Sequence, residues 1–236
     1  MVKEAERPTI QVEHPILAQV IAAHGGMENW KRMHTLSYEI PKDSGTEKHT
    51  IDLHSRKDRI QMGDIAMGYN GDTVWVLDEK GDYKGNPDFY HNLMFYFFAM
   101  PFVLTDPGIQ YGKTRDLIVD GEAYPGISIG YDAGIGASPK DEYFLHFDPV
   151  THTMAWLGYT ATFGSDETSK KVNWIRYSDW APVKGVLLPR SITWYDHEDR
   201  EIGEPRSTVK FENITLERTS KPLSFYENPN GGQQGN

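Results

Sequence analysis

Along most of this chain apolar and polar positions alternate, and two stretches stand out because their apolar residues recur at helical spacing instead. From Pro15 to Ala23, Ile16, Leu17, Val20 and Ile21 share one face, with Pro15 at the start and Gly25-Gly26 as the stop. A further turn over Met27 to Met33 points Trp30 inward. The second stretch, Tyr90 to Leu104 (YHNLMFYFFAMPFVL), is the densest apolar and aromatic run in the chain. At helical spacing Phe89, Leu93, Tyr96/Phe97 and Met100 form one stripe, and Tyr90, Met94 and Phe98 a second, leaving Asp88, His91 and Asn92 as the polar sector. Pro87 suits a first helical turn and Pro101 disfavours helical geometry at Met100, so a helix over Asp88 to Met100 follows. It falls short of the about 20 apolar residues of a membrane span. Two stripes need two partners: either this is a core helix covered on both sides, or it is a lid with one stripe on a sheet and the other on an apolar ligand.

From Thr35 onward the period becomes two. Strands are expected at Thr35 to Ile40, Lys48 to His54, Arg59 to Met62 and Ile65 to Tyr69, then beyond the hairpin signal Asn70-Gly71 at Thr73 to Leu77. After the helix, Ile109 to Val119 and Ala123 to Tyr131 read as strands, broken by Asp120-Gly121 and Pro125-Gly126. Glu142 to Phe147 and Thr153 to Phe163 form one hairpin across Asp148-Pro149-Val150-Thr151, Lys171 to Trp180 and Val186 to Asp196 form the next, and Thr208 to Leu216 closes the series. Without βαβ alternation, the expected fold is mainly β: a single curved antiparallel sheet or incomplete β-barrel of about ten strands, with an N-terminal helix and the inserted apolar helix as a lid. Residues 1–227 read as one domain and 228–236 (NPNGGQQGN) as a disordered tail. A transmembrane barrel is set aside, because such barrels carry an outward apolar band and no inserted apolar helix.

Composition narrows the partners. Tyr, Phe and Trp make up 12% of a chain that is 38% apolar, so the core has to be aromatic-rich. A net charge of −10 with scattered lysines and arginines leaves no basic patch for a phosphate backbone, which excludes nucleic acid. The absence of cysteine excludes disulfides, thiolate metal sites and a cysteine nucleophile.

Candidate chemistry is sparse. In KHTIDLH, Asp52 and His54 share a strand face with Thr50 while His49 lies opposite with Ile51 and Leu53; two converging ligands fall short of a zinc site, and these residues read as surface. The acidic run YDHEDREIGE lacks calcium-loop spacing and reads as a solvated hairpin tip. Gly130 to Gly136 (GYDAGIG) follows no strand-to-helix pattern and makes no phosphate loop, and there is neither a GxSxG elbow nor an HExxH motif. The aromatics remain. Trp75, Trp156, Trp174 and Trp194 all fall in expected strands, with Arg176 on the face of Trp174 and Arg190 on that of Trp194, poised for a ligand carboxylate or phosphate. The candidate ligand-binding set is Trp75, Phe95, Phe98, Met100, Phe102, Trp156, Trp174, Arg176, Arg190 and Trp194, with no catalytic residue, metal or cofactor.

An amphipathic opening helix ending in His24-Gly25-Gly26 with Trp30 beyond it, the strand LSYEI, the later IDLHSR, an aromatic helix ending in MPF and the hairpin FDPVTHTM together resemble an uncharacterised domain family with a LolA/LolB-like fold. The resemblance extends to about Leu216. LolA and LolB are lipoprotein carriers, incomplete antiparallel barrels covered by helices around an apolar cavity for acyl chains. The resemblance implies export, to the periplasm or an outer-membrane face, and no catalysis; on that reading a signal peptide or lipid-modified cysteine has been removed ahead of MVKEAERPTIQVE. The expected function is non-enzymatic binding of a lipid, acyl chain or other amphiphile between the sheet and the helical lid, with a lipoprotein or envelope protein as a further partner. The alternative is a carbohydrate-binding or glycoside-active protein that uses exposed Trp platforms flanked by carboxylates such as Asp141 and Asp179.

Overall fold

The computed structural model describes residues 14–131, 141–160 and 171–229. Asp132 to Gly136 of the GYDAGIG stretch, the end of the Thr153 to Phe163 strand and most of the 228–236 tail lie outside them.

Two short helices open the described chain, α1 (Pro15–Ala23) and α2 (Met27–Lys31). Five strands follow: β1 (Thr35–Lys42), β2 (Gly45–Asp52), β3 (Asp58–Met62), β4 (Ile65–Tyr69) and β5 (Val74–Leu77). The apolar run then forms α3 (Pro87–Phe98) and a 3-10 turn at Phe102–Thr105. Beyond it come β6 (Ile109–Lys113), β7 (Leu117–Val119), β8 (Glu122–Tyr124), β9 (Gly126–Tyr131), β10 (Tyr143–Phe147), β11 (Met154–Tyr159), β12 (Asn173–Val183), β13 (Val186–Glu198), β14 (Glu201–Lys210) and β15 (Glu212–Glu217).

The strands pair in a six-stranded sheet of order β15-β1-β2-β3-β4-β5 and a seven-stranded sheet of order β14-β13-β12-β11-β10-β9-β6, with β7-β8 as a separate ribbon. All pairings are antiparallel. The mainly β, curved and unclosed architecture is as expected. It is built of two main sheets, and the chain passes from one to the other at Phe211, between β14 and β15. The strands are more numerous than expected because the segments Ile109 to Val119, Ala123 to Tyr131 and Thr208 to Leu216 each break in two, the last at Phe211, and β14 starts seven residues before Thr208.

Both sheets turn their apolar faces to one interior, which α1, α2 and α3 complete with Leu17, Val20, Trp30, Phe97 and Phe98. A second cluster lies apart from it, where Trp156 and Trp174 meet Leu117 of the small ribbon, with Tyr124 and Val119 packed against them. Gly158 makes room for Trp174: a Cβ there would come within 2.8 Å of the indole ring.

Local chemistry sets the bounds of α3. Pro87 starts it, Asn86 Oδ1 accepts from the Phe89 N–H at 3.4 Å, and the helix ends at Phe98, ahead of Pro101. No described helix is long and apolar enough to cross a membrane.

Candidate functional site

Helix α3 stands on β3, β4 and β5 of the six-stranded sheet and reaches the seven-stranded sheet with its last turn. At that end the packing is aromatic and closed. Phe98, fully buried, stacks on Tyr38 at 4.5 Å and meets Phe211 edge-on at 4.7 Å. Phe97 meets Tyr159 and Trp194, and the Tyr177 hydroxyl donates to the Phe97 carbonyl at 2.8 Å. Met100 is buried in the same core, and Phe102 stacks on Trp30 with centroids 4.5 Å apart and the rings nearly parallel.

The other end of the helix is tied down by polar groups. The Tyr90 hydroxyl donates to Glu47 Oε2 at 2.7 Å, and His91 Nδ1 lies 2.6 Å from Asp58 Oδ2. His91, in the polar sector of the helix by its spacing, is buried at 9% exposure, whereas Phe89 and Tyr96 of the first apolar stripe are 39% and 38% exposed. The reason is Asp58. It is the first residue of β3, shares the inward face of that strand with Ile60, and is 2% exposed, so a partner has to come from the helix above.

Between these contacts lies a cavity of about 230 Å³, lined by Ile51, Arg56, Asp58, Tyr69, His91, Asn92, Phe95 and Tyr96. Arg56 spans it, with its guanidinium 5.1 Å from the Phe95 ring centroid and Nη2 donating to both carboxylate oxygens of Asp106 at 2.8 and 3.0 Å. Burial pushes the Asp58 carboxyl above the ordinary carboxylate range, with the hydrogen bond and charge of His91 working against that rise. Asp106 is likewise pushed up by burial, against the pull of Arg56. For Glu47 burial also pushes upward, but the hydrogen bonds from His49 and Tyr90 outweigh it and hold the group below its ordinary value.

His49 and Asp52 were expected at the surface, and that is corrected. His49 is buried, stacked on Tyr38 at 4.8 Å, and burial pushes its pKa down. The Asp52 carboxylate is buried in a turn, where Oδ1 accepts from the His54 and Ser55 backbones and the Ser55 hydroxyl. Among the described residues no group of three or more His, Asp or Glu side chains is placed to hold a metal ion.

The ten candidate residues fall into separate places. Phe95 alone lines the cavity. Phe98, Met100 and Phe102 belong to the closed core, and Trp194 joins its border, with Nε1 donating to the Tyr159 hydroxyl at 2.9 Å. Trp75 sits on β5, its Nε1 donating to the Tyr226 carbonyl at 2.8 Å. Trp156 and Trp174 lie in the second cluster on the far face of the seven-stranded sheet; Arg176 stands over the Tyr124 and Trp156 rings, each at 5.4 Å. Arg190 is exposed and pairs with Asp179 at 2.5 Å. No tryptophan is exposed, so none forms the open platform that the carbohydrate reading requires.

Asp58, His91, Arg56 and Tyr69 were not singled out from the sequence, although a signal was there. His91 falls three, four and seven residues before Met94, Phe95 and Phe98, all buried, so it is a polar residue inside an apolar stripe.

No curated protein matches the chain. Among solved structures it is similar to a DUF1329 family protein from Desulfovibrio piger, at 10% identity and a TM-score of 0.49, over 90% of this chain and 97% of that one. It is also similar to a LolA superfamily protein from Nitrosomonas europaea, at 11% identity and 0.41 over 89% and 97%, and to a putative outer membrane lipoprotein-sorting protein domain from Vibrio parahaemolyticus, at 8% and 0.43 over 86% and 97%. Likenesses this distant carry no argument about the fold or the task of this chain. The resemblance read from the sequence, to an uncharacterised family, is borne out: residues 26–179 match the model described as "Family of unknown function (DUF6503)", and the chain belongs to that family.

Proposed function

We propose that this protein binds an amphiphilic small molecule without transforming it, in the cavity between the six-stranded sheet and α3. The observation that carries the reading is the make-up of the lining: Ile51, Phe95 and the rings of Tyr69 and Tyr96 offer apolar contact, while Arg56, Asp58 and His91 offer polar contact. Pockets for drug-sized ligands run from roughly 300 to 1,000 Å³, so a cavity of about 230 Å³ takes a small amphiphile, or the head and first carbons of a longer one. A longer chain would follow only if the outer rim, at Asn92 and Tyr96, opened further. An exported carrier at the cell envelope, as the family resemblance implies, fits this reading, and so does a single domain in which both sheets share one interior.

The buried pairing of His91 with Asp58 is also the kind of contact that orients a catalytic histidine. The lining supplies no serine, threonine, cysteine or lysine as a nucleophile beside it, which favours binding over catalysis. The test is to plug the rim. Asn92 is half-buried on α3 and lines the cavity, and Asn92→Phe places a ring there, with chemical denaturation telling lost folding from lost binding. Binding of a neutral apolar fluorophore such as N-phenyl-1-naphthylamine is expected in the wild type and lost in the variant. Equal binding by both proteins would exclude this cavity as the site.

A further inference from the structure

Two buried polar atoms of the cavity lining complete no hydrogen bond in the protein, Asp58 Oδ1 and Arg56 Nη1; the Tyr69 backbone N–H pulls on the Asp58 carboxyl without closing a bond to Oδ1. Their sister atoms are engaged, Asp58 Oδ2 with His91 Nδ1 and Arg56 Nη2 with Asp106. A buried group left unpaired is costly, so an acceptor and a donor lining one small cavity specify what completes them. The acceptor is the stronger constraint, because Asp58 is 2% exposed and bulk water does not reach it freely.

Charge narrows the choice. Arg56 is already paired through Nη2 with both oxygens of Asp106, and Asp58 has a hydrogen-bond partner, not a fixed cation, in His91. A carboxylate head would accept from Arg56 Nη1 but has no proton for Asp58 Oδ1, and it would set a like charge against that carboxylate. An ammonium head would donate to Asp58 but has no lone pair for Arg56, and would bring a like charge to the guanidinium. A hydroxyl both donates and accepts and adds no charge. Resting on the amphiphile reading above, we infer that the head recognised at this site is uncharged and hydroxylated, as in the glycerol end of a monoacylglycerol, with one hydroxyl bridging Asp58 Oδ1 and Arg56 Nη1.

The experiment is competition against bound N-phenyl-1-naphthylamine at mildly alkaline pH by monooctanoylglycerol, octanoate and octylamine. In the wild type the glyceride competes roughly tenfold or more better than either charged ligand, the scale of one unmet hydrogen bond. Asp58→Asn, with its carbonyl kept towards His91, turns the free acceptor into a donor, so the preference for glyceride over octanoate shrinks or inverts. Arg56→Met removes the donor, so glyceride binding weakens while octylamine binding improves. Octanoate competing as well as the glyceride in the wild type overturns the inference, as do ratios unchanged in both variants; the two atoms are then simply hydrated. The wild-type comparison stands even if a variant fails to fold. If the fluorophore does not bind and native mass spectrometry finds none of the three ligands, the amphiphile reading falls with the inference. If the fluorophore binds and all three ligands displace it equally, only the head-group inference falls.

Discussion

His91 and Phe98 lie two turns apart on one side of α3 and both are buried, yet one meets a carboxylate at the edge of a cavity and the other is enclosed by Tyr38 and Phe211. The difference follows from what each end packs with. Aromatic rings interlock without preferred partners and fill the space between the sheets, whereas a hydrogen bond fixes two atoms at one distance and leaves the volume around them to whatever else can satisfy it. The closed end anchors the helix on both sheets. The polar end holds it over the cavity through Tyr90–Glu47 and His91–Asp58, and of these four residues Asp58 and His91 line the cavity.

Phe98→Ala tests the closed end most severely. A loss of about 3 to 5 kcal/mol is expected, as for large-to-small changes in packed interiors, with little effect on fluorophore binding per folded molecule. Chemical denaturation combined with titration of the fluorophore separates the two quantities. If Phe98→Ala abolished binding at little cost in stability, the two ends would have to exchange roles.

Acid sharpens the contrast through the histidine beside the closed end. His24 is fully buried, donates Nδ1–H to the Val20 carbonyl at 2.8 Å, packs on Trp180 and Phe102, and has no carboxylate partner. Burial pushes its pKa down to about 4, against an ordinary value of 6.5. Between these values the unfolded chain takes up a proton that the folded one refuses. The contribution of His24 is therefore complete above pH 6.5 and is lost as the pH falls to about 4, by on the order of 3 kcal/mol at 1.36 kcal/mol per pKa unit. Thermal unfolding across this range should show a smaller acid loss in His24→Gln than in the wild type. An identical pH slope in the two would refute the assignment.

Phe95→Ala is expected to have the smallest effect on stability of the three. Its ring already borders open volume, so the loss should stay below the roughly 3 kcal/mol that begins the range for packed phenylalanines, while fluorophore affinity falls. A loss as large as that of Phe98→Ala with unchanged affinity would mean that the helix is packed alike along its length.

Much of this architecture was legible because local chemistry and tertiary contacts agree. The hairpin of β10 and β11 could be read from Asp148, whose carboxylate accepts from the Val150 and Thr151 backbones, and α3 from Pro87 and Pro101. β14 was largely illegible, since EIGEPRSTVK is exposed along most of its length and includes Pro205; pairing with β13 makes it a strand, and Pro205 is tolerated because β14 is an edge. The cavity was harder still to see. Asp58 and His91 are 33 residues apart and belong to no local motif, and only the fold of β3 beneath α3 brings them together. The tryptophans misled in the opposite way: alternation placed each in a strand but did not say which sheet or which face, and Trp174 and Trp194 turn out to point to opposite faces of the seven-stranded sheet.

The His24-Gly25-Gly26 segment joins the first helix to residues far along the chain. The His24 carbonyl accepts from the Leu187 N–H, Asn29 Nδ2 donates to the Lys184 carbonyl 155 residues away, and a Cβ on Gly25 would lie 2.1 Å from the Gly185 carbonyl oxygen. Gly25 also has φ of +98°, so no other residue fits there on either count. During synthesis α1 and α2 therefore emerge long before the hairpin that seats them, and their apolar faces wait exposed until the turn between β12 and β13 has been made. Contacts of such long sequence separation slow folding, and until the last third of the chain arrives the first helix presents an uncovered apolar face.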